Sequence, residues 1–310
     1  MGTLIGHIVP GLALFLLGLW HTINTIKAYF GRGPSNFTVR FWYQFNVFHC
    51  RLKHLELISI LSFSILAISL QVLDFPSFHF TFELDSFEHV TMFIQLAVFA
   101  SFILFAEFLT DSFELLSGFV GILASSVFAQ EFFLLNFHST DHVGIEGHYH
   151  WLLQLIVFIS LLAAIAATFF PKSFQAALVL SISVMFQGCW FLNMGFMLWV
   201  PAFVPQGCSM NDLGKTRMGH NHSMLGAISC SSDEADFRAR ALANLQFSWI
   251  FCAILIVSGI VGLRMARTIR PTISDRLVEY QRLHSKVADS TITTEGLKLV
   301  NSQFVKQEEA

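Results

Sequence analysis

Seven long apolar blocks restrict what this chain can fold into. They cover residues 4–26, 55–73, 90–109, 115–135, 151–170, 174–204 and 245–263. A helix needs roughly 20 apolar residues to cross the ~30 Å hydrocarbon core of a bilayer. A transmembrane β-barrel would instead show segments of about ten residues with alternating polarity. The blocks therefore predict an all-α polytopic membrane bundle of about seven transmembrane helices.

The composition supports the same class of protein. Of 310 residues, 54% are hydrophobic and 13% are charged, whereas a soluble domain carries about 25% charged residues. The lipid bilayer is therefore the expected partner; protein partners are unknown, and nothing suggests nucleic-acid binding. The first block has no basic start and no small-residue cleavage site, which favours a retained first helix over a signal peptide.

Basic residues indicate how the bundle is oriented. The first loop, the fifth loop and the segment after the last block contain 14 Lys and Arg, while the opposite connections contain 4. Basic loops stay on the cytosolic side, so the N-terminus is expected to be luminal or outside and the C-terminus cytosolic. We expect a seven-helix transmembrane domain over residues 1–270. Residues 271–310 are expected to be a cytosolic polar tail that is partly disordered.

The sixth loop carries two cysteines and a glycosylation sequon. Cys208 and Cys230 fall in the predicted lumen, where a disulfide is permitted, but two cysteines alone do not establish a bridge. The sequon at Asn221 lies in the same loop. A second sequon, at Asn36, lies on the predicted cytosolic side and should not be modified.

Histidines concentrate toward the predicted luminal side. Nine of the 13 fall there: His7, His79, His89, His138, His142, His148, His150, His220 and His222. Ionisable side chains in membrane segments are costly and mark functional sites, and imidazole and carboxylate are common ligands of divalent metals. The candidate ligands for zinc or another divalent metal are His89, Glu131, His138, His142 and His150, with His7 and His148 as nearby candidates.

Several interpretations of this cluster stay open. One is a metal site in a membrane enzyme acting on a lipid-like substrate, with Glu131 or Glu146 as the general base; no compact motif such as His-Glu-x-x-His is present. A second is a set of interfacial histidines bonded to loop backbone or water. A third is proton sensing in mildly acidic secretory compartments. A transporter binding its ion at the Glu131–His150 group is less favoured, because no second half shows matching broken helices.

Other polar positions receive structural interpretations. Glu56 and Glu107 are expected to pair with basic neighbours or to snorkel at the cytosolic ends of the second and third helices. Gln187, Gly188, Asn193 and Gly195 indicate close helix packing and interhelical hydrogen bonds. The sixth helix is long enough to tilt or to break at one of these glycines. Gly144 and Gly147 favour a helix break between the fourth and fifth helices.

The chain resembles the transmembrane protein 45 family. The landmarks are Gly6-His7-Ile8-Val9-Pro10-Gly11, Arg51-Leu52 with Glu56, His89 with Thr91-Met92, Glu131 through His138 to His150, and Gln187-Gly188-Cys189-Trp190-Phe191. They occur in family order over helices one to six, and the plant viral-response-like branch is the most similar.

The resemblance implies a seven-helix multipass protein of the Golgi or related endomembranes, with the plasma membrane as the alternative. It implies no settled activity, and trafficking, signalling or defence through partners is the expected role. It also implies that a shared polar pattern includes His7, Glu56, His89, Glu131, His138 and His150. The chain departs from the family pattern at three places. The His-x-His pair after the fourth helix becomes His138-Ser139-Thr140, with His142 as a stand-in; Glu146 replaces an Asp; and the seventh helix has no histidine near Trp249.

Overall fold

A computed structural model describes residues 3–47, 50–74, 79–80, 84–109, 113–138, 144–210 and 227–269. The described residues include seven helices long and apolar enough to cross a membrane, which confirms the predicted polytopic bundle. These are α1 (Leu4–Arg32), α2 (Leu55–Val72), α3 (Leu84–Leu109), α4 (Phe113–His138), α5 (Gly144–Phe169), α6 (Phe174–Trp199) and α7 (Asp233–Ile269).

Among the described residues, three short antiparallel strand pairs lie in the connections. They pair β1 (Phe45–Val47) with β2 (Cys50–Leu52), β3 (Leu73–Asp74) with β4 (His79–Phe80), and β5 (Cys208–Met210) with β6 (Ile228–Cys230). The register of the last pair places Cys208 opposite Cys230, and a disulfide joins them. The bridge that the sequence only permitted is therefore present.

Two helix boundaries differ from the apolar blocks. α5 begins at Gly144, ahead of its apolar block, so its first turns include His148 and His150. Gly144 has a φ of 74°, a left-handed conformation that glycine adopts readily, and the predicted break between α4 and α5 is confirmed. α6 continues through Gly188 and Gly195 without a break and ends at Trp199, where a short turn over Pro201–Phe203 follows.

α1 and α6 pack backbone against backbone. A Cβ atom on Gly18 would lie 2.2 Å from the Met185 nitrogen, and one on Gly188 would lie 2.2 Å from the Phe15 nitrogen. Only a residue without a side chain allows this approach. The close packing predicted for the α6 glycines is therefore confirmed, and α1 is the helix that they contact.

The first compact unit is Met1–Val261; the second is Gly262–Ala310, of which residues 262–269 are described. The expected boundary at residue 270 stays a prediction. Within the first unit, one buried cluster centres on Tyr149, Trp190 and Met194 of α5 and α6, and another on Leu57, Phe99 and Ile103 of α2 and α3. Large apolar side chains are exposed along many helix faces, as in a bundle that sits in lipid.

Contacts between helix ends define two ends of the bundle. At one, the start of α1 meets the end of α6 and the start of α5, since His7 contacts Trp199 and His150. At the other, Glu56 at the start of α2 binds Trp20 and the loop after α1. We call them the His7 end and the Glu56 end.

Candidate functional site

His7 of α1 and His150 of α5 come together at the His7 end. Their ring centroids are 6.2 Å apart in an edge-to-face arrangement, and each residue is 7% exposed. Trp199, the last residue of α6, stacks on His7 at a centroid distance of 4.4 Å, and Phe191 lies 5.9 Å away. Two aromatic side chains of α6, Trp199 and Phe191, thus cover the imidazole of His7 on α1.

Each imidazole is oriented by its own helix. Nδ1 of His7 lies 2.9 Å from the Thr3 carbonyl oxygen, and Nδ1 of His150 lies 2.9 Å from the Glu146 carbonyl oxygen. Because a carbonyl oxygen only accepts, Nδ1 donates in both rings. The same Nδ1 contact also orients histidines that bind metals through Nε2.

Glu146 connects the start of α5 to the sixth loop. Its side chain is buried, and Oε2 accepts a hydrogen bond from the Ala227 backbone nitrogen at 2.6 Å. Ala227 directly precedes β6, which the disulfide joins to β5. The carboxylate proposed from the sequence as a general base thus anchors the disulfide-linked hairpin beside His150.

Glu131 and Gln187 form a polar contact inside the bundle. Gln187 Nε2 donates to Glu131 Oε1 at 2.7 Å and joins α6 to α4, which confirms the interhelical hydrogen bond predicted for Gln187. Gln187 lies at the middle of α6, about 20 Å from either end. It is 0% exposed, and its Oε1 atom has no hydrogen-bond partner among the described residues. Such a buried acceptor is costly.

A second polar network joins α5, α6 and α7. Gln246 Oε1 accepts from the Tyr149 hydroxyl at 2.9 Å and from Asn193 Nδ2 at 3.1 Å. Trp190 Nε1 donates to the Tyr149 carbonyl oxygen at 3.0 Å. His148 lies 2.9 Å from Asn244 Oδ1 and thus contacts α7. These bonds hold the three helices together beneath the His7–His150 pair.

The candidate metal ligands separate into different contacts. His150 meets His7, Glu131 binds Gln187, and His148 binds Asn244. His89 is half-buried on α3, whereas His142 and the His138 side chain lie outside the described residues. Within the described ranges, no group of three or more His, Cys, Asp or Glu side chains could hold a metal ion. Zinc or another divalent metal therefore stays a prediction, which elemental analysis of purified protein would test.

The partners of Glu56 differ from those that the sequence predicts. It is 8% exposed, and Oε2 accepts from Trp20 Nε1 and from the Tyr43 backbone nitrogen, both at 2.9 Å. Oε1 lies 2.8 Å from His21 Nε2. The carboxylate therefore neither snorkels nor pairs with Lys53. The sequence could have indicated this contact, because the two adjacent donors Trp20 and His21 are predicted to lie on the same side of the membrane as Glu56.

Glu107 behaves as expected. It pairs with Lys53 and lies 3.5 Å from His54 Nε2. Near it, Tyr43 contacts the His21 ring edge to face, and its hydroxyl shares a 2.9 Å hydrogen bond with Thr25. Burial raises the pKa of Tyr43. The Glu56 end thus holds a second set of buried polar groups, which tie the loop after α1 to α1 and α2.

Comparison with protein families gives one match. The model of a family described as a family of unknown function (DUF716) matches residues 117–262, which run from α4 into α7. This family includes the transmembrane protein 45 proteins. The matched segment contains Glu131, Glu146, His150 and Gln187, while His7 and Glu56 precede it. From α4 to α7 the chain is therefore similar to a family to which no function is assigned.

Proposed function

We propose that the chain is a multipass endomembrane protein that responds to acidity at the His7 end. The family match over residues 117–262 and the landmark residues of helices one to six support placing it in the transmembrane protein 45 family, in its plant viral-response-like branch. Golgi and related compartments are mildly acidic, in the range where imidazole titrates. The contact between His7 and His150 carries the proposal.

Protonation would drive these two rings apart. Nδ1 already donates in both, so an added proton enters at Nε2 and leaves two cations about 6 Å apart. At an effective dielectric constant of about 20, they repel by about 3 kcal/mol. Trp199 can stabilise one cation through its ring face. Acidification should therefore weaken the contact between α5 and α1. Partner proteins in trafficking, signalling or defence would respond to this change in conformation.

Spin labels on α1 and α5 would test this response. Val9 and Leu155 are exposed on these helices, so Val9→Cys and Leu155→Cys can carry labels once the cysteines outside the disulfide are replaced by serine. We expect the distance distribution in reconstituted protein to lengthen or broaden between pH 7.5 and pH 5.5. Identical distributions at both values would contradict the proposal.

Two histidine variants provide the specificity control. His7→Phe keeps an aromatic ring against Trp199 but cannot be protonated, so the pH response should disappear. His148→Phe removes a second histidine of α5, which contacts Asn244 and not His7. The response should therefore persist in this variant. Equal loss in both variants would show that α5 responds through some other group.

The Glu131–Gln187 contact supports a second candidate function, proton-coupled transport. Glu131 accepts from Gln187 Nε2, an arrangement that suits an ionised carboxylate. A protonated Glu131 could donate its hydroxyl to Gln187 Oε1 after the amide rotates, which would give that buried acceptor a partner. The pair can thus hold or release one proton with a hydrogen bond in either state. Asp, Glu and His chains within membrane spans serve as proton relays.

Proteoliposomes that enclose a pH-sensitive dye would test transport. We expect an imposed proton gradient to dissipate faster with the wild-type protein than in empty vesicles, and Glu131→Gln to remove the difference. Glu234→Gln is the matched control, because Glu234 is exposed at the start of α7. If the proton gradient dissipates equally fast with wild type and Glu131→Gln, Glu131 is excluded as the proton relay.

A further inference from the structure

Three segments that carry basic side chains converge at the Glu56 end. The Val39 backbone nitrogen donates to the Pro171 carbonyl oxygen at 2.7 Å, which joins the loop after α1 to the turn between α5 and α6. Arg40 follows Val39, and Lys172 follows Pro171. Arg32 is the last residue of α1, and its positive charge lowers the pKa of Arg40.

The three side chains are exposed and have no ion-pair partner in the described part of the chain. Partial desolvation and the charge of Arg32 lower the pKa of Arg40, while Tyr43 and Glu107 oppose this effect. Glu107 is itself paired with Lys53. Three positive charges therefore lie near one another, and none of them forms an ion pair with a carboxylate in the described part of the chain.

An aromatic cluster holds together the segments that carry these side chains. Tyr29 and Phe174 stack with centroids 4.0 Å apart, and the buried Phe37 packs edge to face against both. The cluster joins the end of α1, the loop and the start of α6. Aromatic side chains concentrate where membrane helices reach the headgroups, and Arg32 and Lys172 stand at helix ends.

We propose that Arg32, Arg40 and Lys172 form a binding site for the phosphate headgroup of an anionic membrane lipid. The guanidinium groups can each bind phosphate oxygens in a bidentate manner, and the lysine adds a point charge. A lipid is the occupant that the position favours, because basic side chains next to transmembrane helix ends meet headgroups within a Debye length. The site is independent of the His7–His150 pair.

Binding of a short-chain lipid to the purified full-length protein would test the site. The probe is a fluorescent dioctanoyl phosphatidylinositol 4-phosphate, followed by anisotropy in detergent micelles. Each neighbouring basic residue contributes about 5-fold to such attraction, so Arg40→Gln and Lys172→Gln should each weaken binding about 5-fold and together about 25-fold. Arg40→Lys should restore most of the binding, because it retains the charge.

Three controls make the outcome decisive. Arg238→Gln removes an exposed charge at the start of α7 and should leave the affinity within 2-fold of wild type, and an unchanged melting temperature would show that each variant is folded. Dioctanoyl phosphatidylcholine should not compete, and inorganic phosphate should compete only at much higher concentration. Equal affinity of the double variant and the wild type would overturn the proposal. Competition by inorganic phosphate at the probe's own concentration would also overturn it and assign the site to free anions.

Discussion

At the residue scale, Glu56 is a buried carboxylate that three donors bind from α1 and the loop after it. Trp20, His21 and the Tyr43 amide all point hydrogens at its two oxygens. Removing the charge leaves these buried donors without a full acceptor, and hydrogen bonds to charged groups contribute about 1.5–3 kcal/mol each. The carboxylate therefore fixes where α2 begins relative to α1.

We predict that Glu56→Gln destabilises the protein by about 3 kcal/mol, the loss of one or two hydrogen bonds to a charged group. The amide keeps the shape of the side chain, but its NH₂ group would face donors that need an acceptor. Thermal unfolding of purified protein in detergent measures the change as a lower melting temperature. Glu234→Gln, at an exposed carboxylate 4.0 Å from Arg238, should leave the melting temperature unchanged. Equal melting temperatures for Glu56→Gln and wild type would contradict the role given to Glu56.

At the scale of elements, the α1–α6 pair depends on glycines spaced seven residues apart on both helices. Gly11 and Gly18 of α1 face α6, and Gly188 and Gly195 of α6 face α1. Because lipid is as apolar as the side chains, helix association in a membrane relies on such close packing. The contact places His7 of α1 against Trp199 of α6 and so supports the site at the His7 end.

We predict that Gly18→Ala destabilises the bundle by about 1–3 kcal/mol. The new methyl group would meet the Met185 backbone, which cannot rotate away as a side chain can. Gly118→Ala is the matched control, because no atom lies within 4 Å of a Cβ at that helical position. There the better helix propensity of alanine should stabilise by up to about 1 kcal/mol. Thermal unfolding should shift the two variants in opposite directions, and a shift in the same direction would count against the packing argument.

Helix number and class could be predicted from the sequence because lipid burial depends on composition over windows of about 20 residues. Gly144 and Gly147 indicated a break before α5. Hydropathy alone would start the helix at Trp151, because Glu146 and His150 are polar. Their polar groups are satisfied by Ala227 and by α5 itself. The surroundings of Glu56 were missed because its partner His21 lies 35 residues away. The His7–His150 contact likewise required knowing that α1 and α5 meet.

At the scale of the whole molecule, the two ends differ in chemistry. The His7 end carries the disulfide between Cys208 and Cys230 and the paired imidazoles. The Glu56 end carries the exposed cations Arg32, Arg40 and Lys172. Disulfides persist in the oxidising lumen, while basic loops remain in the cytosol. Both rules, which have unrelated causes, predict the same orientation of the bundle.

This orientation predicts which sequon carries a glycan when the protein is expressed in eukaryotic cells. Asn221 lies outside the described residues, between β5 and β6 in the sequence, and should be modified because that loop is predicted to face the lumen. Asn36 is exposed in the turn after α1, at the Glu56 end, and should remain unmodified because glycosyl transfer occurs only in the lumen. Glycosidase treatment should therefore shift the electrophoretic mobility of wild type and Asn36→Gln but not of Asn221→Gln. A shift that depends on Asn36 would invert the bundle, and the acid-sensing end and the lipid site would then exchange compartments.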